Sequence, residues 1–106
     1  IYGALVCQKA GIPMQVYADQ LPATIKLTGD YHDLFARTVP TEDYDNAEAS
    51  LKVYALAQED ALKTFLSLDA PAEFIQLMHQ RTKAAWNDGF GDKQLTALVT
   101  HMADTG

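Results

Sequence analysis

The stretch Ala47-Glu48-Ala49-Ser50-Leu51-Lys52-Val53-Tyr54-Ala55-Leu56-Ala57-Gln58-Glu59-Asp60-Ala61-Leu62-Lys63-Thr64-Phe65-Leu66-Ser67-Leu68 decides the fold class. Leu51, Tyr54, Ala55, Leu62, Phe65 and Leu66 recur at helical spacing and mark one apolar face. Val53, Leu56, Ala57 and Ala61 add a second strip. A helix apolar over so much of its circumference packs on more than one side. Its polar stripe is Glu48, Lys52, Glu59 and Lys63. Glu48/Lys52 and Glu59/Lys63 stand at i,i+4 in the favourable order, each pair contributing roughly 0.3–0.5 kcal/mol. Ala47–Leu68 is therefore expected to be the longest helix and the centre of the fold.

Four breaks punctuate the sequence around it. Gly11-Ile12-Pro13 closes a first apolar stretch, Gly11 suiting a left-handed cap and Pro13 the first turn of the next helix. Pro22 predicts a break or kink. Val39-Pro40-Thr41 ends the third stretch, and Glu42 to Asn46 reads as a loop. Gly89-Phe90-Gly91 separates the last two helices, with Asp92 as the expected N-cap. A helix should start near Pro71 and run to Asp88. On it Phe74, Leu77, Met78 and Ala85 form one face, with Ile75, Thr82 and Trp86 beside them. Leu95, Leu98, Val99 and Met102 predict the last helix. No stretch alternates with period two. The fold class is all-α, with five or six helices around one long central helix.

The 106 residues suffice for one domain. The net charge of −6 lies wholly in residues 41–106, where eleven acids face five bases, and reads as a solvated surface. It excludes a basic nucleic-acid or acidic-membrane footprint, and no apolar run is long enough to span a bilayer. Lone Cys7 makes no internal disulfide, which points to a reducing, cytoplasmic setting. Ile1 stands inside an apolar pattern with Ala4, Leu5 and Val6, like the tail of a helix begun upstream, so a longer parent chain is expected. A fragment this short is marginal if it must also cover a central apolar helix. A second copy with interlocking helices would cover it.

Several chemistries find no footing. His32, His79, His101 and Cys7 share no metal-ligand spacing, and His79 reads as a satisfied interfacial histidine. Neither a dinucleotide fingerprint nor a phosphate-binding P-loop is present. Gly89-Phe90-Gly91 lacks a preceding strand and reads as a helix–helix turn. The carboxylate pairs Glu42/Asp43 and Glu59/Asp60 are adjacent in sequence, and neighbours on a helix point in different directions.

Three segments carry a resemblance. A Tyr44-containing loop leads into Glu48-Ala49-Ser50-Leu51. The helix from Pro71 ends in Ala84-Ala85-Trp86-Asn87-Asp88-Gly89. Gly89-Phe90-Gly91-Asp92 then precedes Leu95-Thr96-Ala97-Leu98-Val99. Together they resemble the C-terminal helical domain of the β-hydroxyacid dehydrogenase (6-phosphogluconate dehydrogenase-like) superfamily, with its Gly-x-Gly-Asp ending. The loop and the opening Tyr2-Gly3-Ala4-Leu5 are more similar to the imine reductase and reductive aminase branch.

The resemblance implies an NADP- or NAD-dependent oxidoreductase acting on a small molecule. Its cofactor would be held mainly by a Rossmann domain outside this chain. Its helical domains would form a homodimer with exchanged elements. The proton donor would lie upstream of Ile1, so no catalytic residue is assigned here and the chain alone should be inactive. Two positions carry over. Lys52 aligns with the lysine of a family Lys-Asp pair near the cofactor, although Val53 replaces the aspartate and weakens the hydroxyacid dehydrogenase version. Tyr54 aligns with the aromatic lining of the substrate pocket, with core packing the alternative. The rival functions are a 3-hydroxyacid dehydrogenase domain and a non-enzymatic dimeric helical module.

Overall fold

The computed structural model describes residues 1–105 and is all-α. In order run α1 (Tyr2–Lys9), α2 (Met14–Thr38), α3 (Leu51–Ser67), α4 (Glu73–Ala85) and α5 (Leu98–Thr105). A π turn, Trp86–Phe90, extends α4, and a 3₁₀ turn, Leu95–Ala97, introduces α5. Among the described residues, extended pairing is limited to one bridge between Ser50 and Gln94.

Backbone chemistry explains each boundary. Gly11, at φ 76°, ends α1: the Ile12 N–H donates to the Cys7 carbonyl at 2.8 Å and the Gly11 N–H to Gln8 at 3.1 Å. Those two bonds make a Schellman cap. Pro13 sits just before Met14, so it flanks α2 where the sequence suggested its first turn. Asp69, at φ 53°, ends α3 in the same manner, with Ala70 N–H donating to Phe65 O at 3.0 Å. No glycine advertises this second cap.

Two expectations about helix length are corrected. α2 runs unbroken through Pro22 for 25 residues and is the longest helix; α3 has 17. The helix therefore accommodates the missing Pro22 N–H without ending. α3 begins at Leu51, four residues later than the apolar pattern suggests, because its first N–H groups are satisfied from elsewhere. Leu51 N–H donates to Lys93 O at 2.8 Å and Lys52 N–H to Gly91 O at 2.9 Å. The turn after Phe90 thus caps α3 with its own carbonyls, and the Ser50 hydroxyl makes no cap bond. Asp92 lies in that turn and caps nothing; Gln94 flanks the 3₁₀ turn. α4 starts at Glu73, two residues after Pro71.

The glycines of Gly89-Phe90-Gly91 have separate reasons. Gly89 takes φ 97° and turns the chain out of α4. Gly91 lies against the indole of Trp86, where a Cβ would stand 2.6 Å from Cδ1. Lys83 Nζ covers that ring at 3.9 Å from its centroid, a cation–π contact.

α3 and α4 form the main packing pair. The core between them and α5 is thin: Leu51, Ala55, Ala70, Ala85 and Ala97 are its buried apolar members, with Tyr44. Thr38 and Thr96 pair hydroxyls at 2.8 Å inside it, and Thr82 returns its hydroxyl to the Met78 carbonyl at 2.9 Å. The inward face of α4 is Ile75, His79, Thr82 and Ala85, continued by Trp86 of the π turn. The expected face of Phe74, Leu77 and Met78 lies exposed in the single chain, as do Val53, Leu56 and Leu66 of α3. His79 is half-buried, and within the single chain its Nδ1 has no partner among the described residues. His101 is buried, with Nε2 2.7 Å from Asp88 Oδ2 and its ring edge-on to Phe90. Together they fasten α5 to the π turn.

Candidate functional site

The loop between α2 and α3 is tied down at several points. The Tyr44 hydroxyl shares a hydrogen bond with Thr100 at 2.7 Å, and the Tyr44 carbonyl accepts from Gln94 N–H at 2.8 Å. Lys93 Nζ donates to Asp45 Oδ1 at 2.7 Å. Asn46, at φ 62°, then redirects the chain towards α3. These anchors hold the loop opposite one face of α2.

A cleft of about 460 Å³ lies between them. Leu27, Asp30, Tyr31, Leu34 and Arg37 line one wall, spaced three and four apart on α2. Asn46, Glu48 and Ala49 of the loop, Tyr54 of α3 and Gln94 form the other. Tyr31 and Tyr54 meet edge to face, centroids 6.2 Å apart at 77°. Burial pushes the Tyr54 phenol above its ordinary pKa, so it is a neutral donor and acceptor through physiological pH.

The structure separates the two residues that resemblance singled out. Tyr54 faces the cleft. Lys52 does not line it; Lys52 Nζ ends on Asp92 Oδ1 at 2.6 Å, stapling α3 to the turn that caps it. That hydrogen bond, with the lysine's charge, holds the Asp92 carboxyl below its usual range. The expected Glu48/Lys52 helix pair is absent because Glu48 precedes α3, whereas Glu59/Lys63 is present at 3.9 Å. The other cleft residues escaped sequence reading. Their signal was the mixed-polarity i,i+3/i+4 set on α2, which has no meaning until the loop is seen to lie across it.

A dinucleotide finds poor footing here. The cleft carries Asp30 and Glu48 against Arg37, an unfavourable balance for a pyrophosphate. Among the described residues no group of three or more His, Cys, Asp or Glu side chains could hold a metal ion. No described helix is long and apolar enough to cross a membrane.

No protein-family model matches the sequence, and no curated protein does. Solved structures do match. An imine reductase from Pseudomonas sp. superposes with a TM-score of 0.89 at 23% identity, over 95% of this chain and 35% of that one. A reductive aminase from Aspergillus terreus, in complex with NADPH and ethyl levulinate, gives 0.86 at 17% identity, over 95% and 35%. An imine reductase from Myxococcus stipitatus with NADP+ gives 0.84 at 16%, over 91% and 36%. The chain thus spans about a third of the length of these reductases and has the fold of that third, in agreement with the resemblance its Tyr44, Glu48 and Gly89–Asp92 segments carry.

Proposed function

We propose that the chain is the C-terminal helical domain of an NAD(P)-dependent oxidoreductase of imine reductase type, contributing dimerisation and part of the substrate pocket. The observation that carries this reading is the TM-score of 0.89 over 95% of the chain to an imine reductase, with Tyr54 on the wall of the cleft. The chain's own residues do not suit the cofactor, which on this reading is held by a dinucleotide-binding domain of the parent protein. Hydride chemistry would then belong to that cofactor. This chain supplies an aromatic wall, Tyr31 and Tyr54, that orients and desolvates a small organic substrate. Lys52, engaged by Asp92, serves the fold in this assignment.

Dimerisation is supported by what one chain leaves uncovered. A second hollow of about 360 Å³, lined by Leu77, Met78, Leu98 and Met102, opens between α4 and α5. The Gln58 Oε1 on its wall is buried without a partner among the described residues. Residues 18–30 of α2 are all exposed, Leu21, Ile25 and Leu27 included.

The test uses the parent protein and this chain side by side. The parent should oxidise NADPH only when a cyclic imine is supplied, and Tyr54→Ala should raise KM for the imine. The chain alone should show no turnover and no submicromolar NADPH binding by calorimetry. A parent that turns over 3-hydroxyacids and ignores imines would overturn the assignment, and so would tight NADPH binding by the chain alone.

A further inference from the structure

The charges around the cleft are not arranged like those beside it. At the same junction of loop, α3 and the capping turn, Lys52 is closed onto Asp92 at 2.6 Å and Lys93 onto Asp45 at 2.7 Å. The three charged groups that line the cleft are left open. Among the described residues, Arg37 has no carboxylate within 4.0 Å, and Asp30 and Glu48 have no cation. Asp30 and Arg37 lie two turns apart on one face of α2, a rise of about 10 Å, with Tyr31 and Leu34 between them. Glu48 stands on the opposite wall. A side chain on a helix leans towards the N-terminus, so Arg37 reaches back along this face over Leu34. It still falls short of Asp30.

We infer that the cleft accepts a small molecule carrying a carboxylate beside a cationic nitrogen, an amino-acid-like amine or iminium, in preference to a plain hydrophobic amine. This rests on the imine reductase reading above, in which the cleft holds an imine and the amine formed from it, and narrows it. The guanidinium of Arg37 is built to take a carboxylate by two parallel hydrogen bonds. Asp30 and Glu48 favour a cation on the other side, and the faces of Tyr31 and Tyr54 favour the same charge. A ligand with one charge would satisfy one pole and meet repulsion or nothing at the other. A ligand with both poles a few atoms apart satisfies the two walls together, while its carbon skeleton lies against Leu34 and the tyrosine rings.

Three ring compounds of equal size separate the possibilities: piperidine-2-carboxylate, piperidine and cyclohexanecarboxylate. Each is titrated into the chain while the Tyr31 and Tyr54 ring resonances are followed by NMR. Piperidine-2-carboxylate should bind roughly tenfold more tightly than either single-charge compound, the size of one charge-assisted pair at an open site. Arg37→Gln should abolish its advantage over piperidine, because the carboxylate then loses its partner while the amine keeps Asp30 and Glu48. Asp30→Asn with Glu48→Gln should weaken both amines. All three side chains are exposed, so these variants keep the fold. Equal binding of piperidine and piperidine-2-carboxylate, or an Arg37→Gln variant indistinguishable from the parent, would overturn the inference and leave amine binding standing. If neither amine shifts the tyrosine signals, or only cyclohexanecarboxylate does, amine binding falls with it.

Discussion

At the scale of single residues, position in the chain matters less than what the backbone brings alongside. Lys52 shows this. An i,i+4 rule paired it with Glu48, but the helix begins at Leu51 and its partner is Asp92, forty residues away. The pair has a pH signature. The Asp92 pKa is lowered by folding, so the stability it supplies is complete above the ordinary aspartate value and is lost as pH falls through the lowered one. Lys52→Ala should therefore reduce Tm at neutral pH, and its deficit relative to the parent chain should close as the solution is acidified below the carboxylate range. A deficit that is constant with pH, in paired melts across that range, would show that the lysine stem and not its charge is what matters. Asp69 gives a second prediction. It occupies φ 53° at the end of α3, where an aspartate costs more than a glycine. Asp69→Gly should stabilise the chain by about 0.5–1 kcal/mol in urea melts. Tyr54 was singled out by the resemblance alone, which aligns it with an aromatic pocket lining, and it stands on the cleft wall. Asp30, Tyr31 and Arg37 were not, since a wall of mixed polarity resembles any exposed helix face until its opposing loop is known.

At the scale of elements, the glycine motif and the proline illustrate what periodicity can and cannot foresee. The helical period located five helices, because apolar residues three and four apart mark the turn of a helix whether or not one chain buries them. It misplaced the ends of α3 and α4, because ends are fixed by hydrogen bonds that come from distant carbonyls such as Gly91 and Lys93. Gly89-Phe90-Gly91 was correctly a helix–helix turn, and the two glycines should fail differently. Gly89→Ala meets no atom within 4 Å, so its cost is backbone strain alone, about 1–2 kcal/mol, and Gly89→Asn should recover part of it. Gly91→Ala drives a methyl into the Trp86 ring and should cost about 1–3 kcal/mol with an altered tryptophan fluorescence. Equal effects on fluorescence from the two changes would contradict this division. Pro22 is the converse case, a residue whose local rule loses. Its ring removes one hydrogen bond and crowds the carbonyl four residues earlier, yet α2 continues to Thr38. Pro22→Ala restores a donor facing the Ala18 carbonyl and should stabilise that stretch by about 1–3 kcal/mol, seen as slower amide exchange over residues 22–26.

At the scale of the whole molecule, the single chain is extended for its length. Its radius of gyration is 15.3 Å with extents of 44 × 27 × 21 Å, against about 13 Å for a compact domain of this length. The excess comes with an uncovered helix, α2 over residues 18–30, and, among the described residues, with sixteen large apolar side chains exposed, from Ile1 to Met102. A core built mainly of alanines buries too little surface to offset the conformational entropy of a hundred ordered residues. A helix exposed on all sides draws little stability from propensity alone. Both shortfalls are removed if Leu21 and Ile25 of α2 and the hollow between α4 and α5 are covered by a second copy related by a two-fold axis. Such an interface should bury well over ~2,000 Å² in total, the obligate class, so folding and association should be one process. Light scattering at micromolar concentration should then give the mass of a dimer, and the unfolding midpoint should rise with protein concentration. Ile25→Glu, on the exposed stripe and not among the residues that line the cleft, should lower that midpoint and weaken its concentration dependence. A monomeric mass together with cooperative, concentration-independent unfolding would show that the alanine core suffices and that the exposed stripe is only surface.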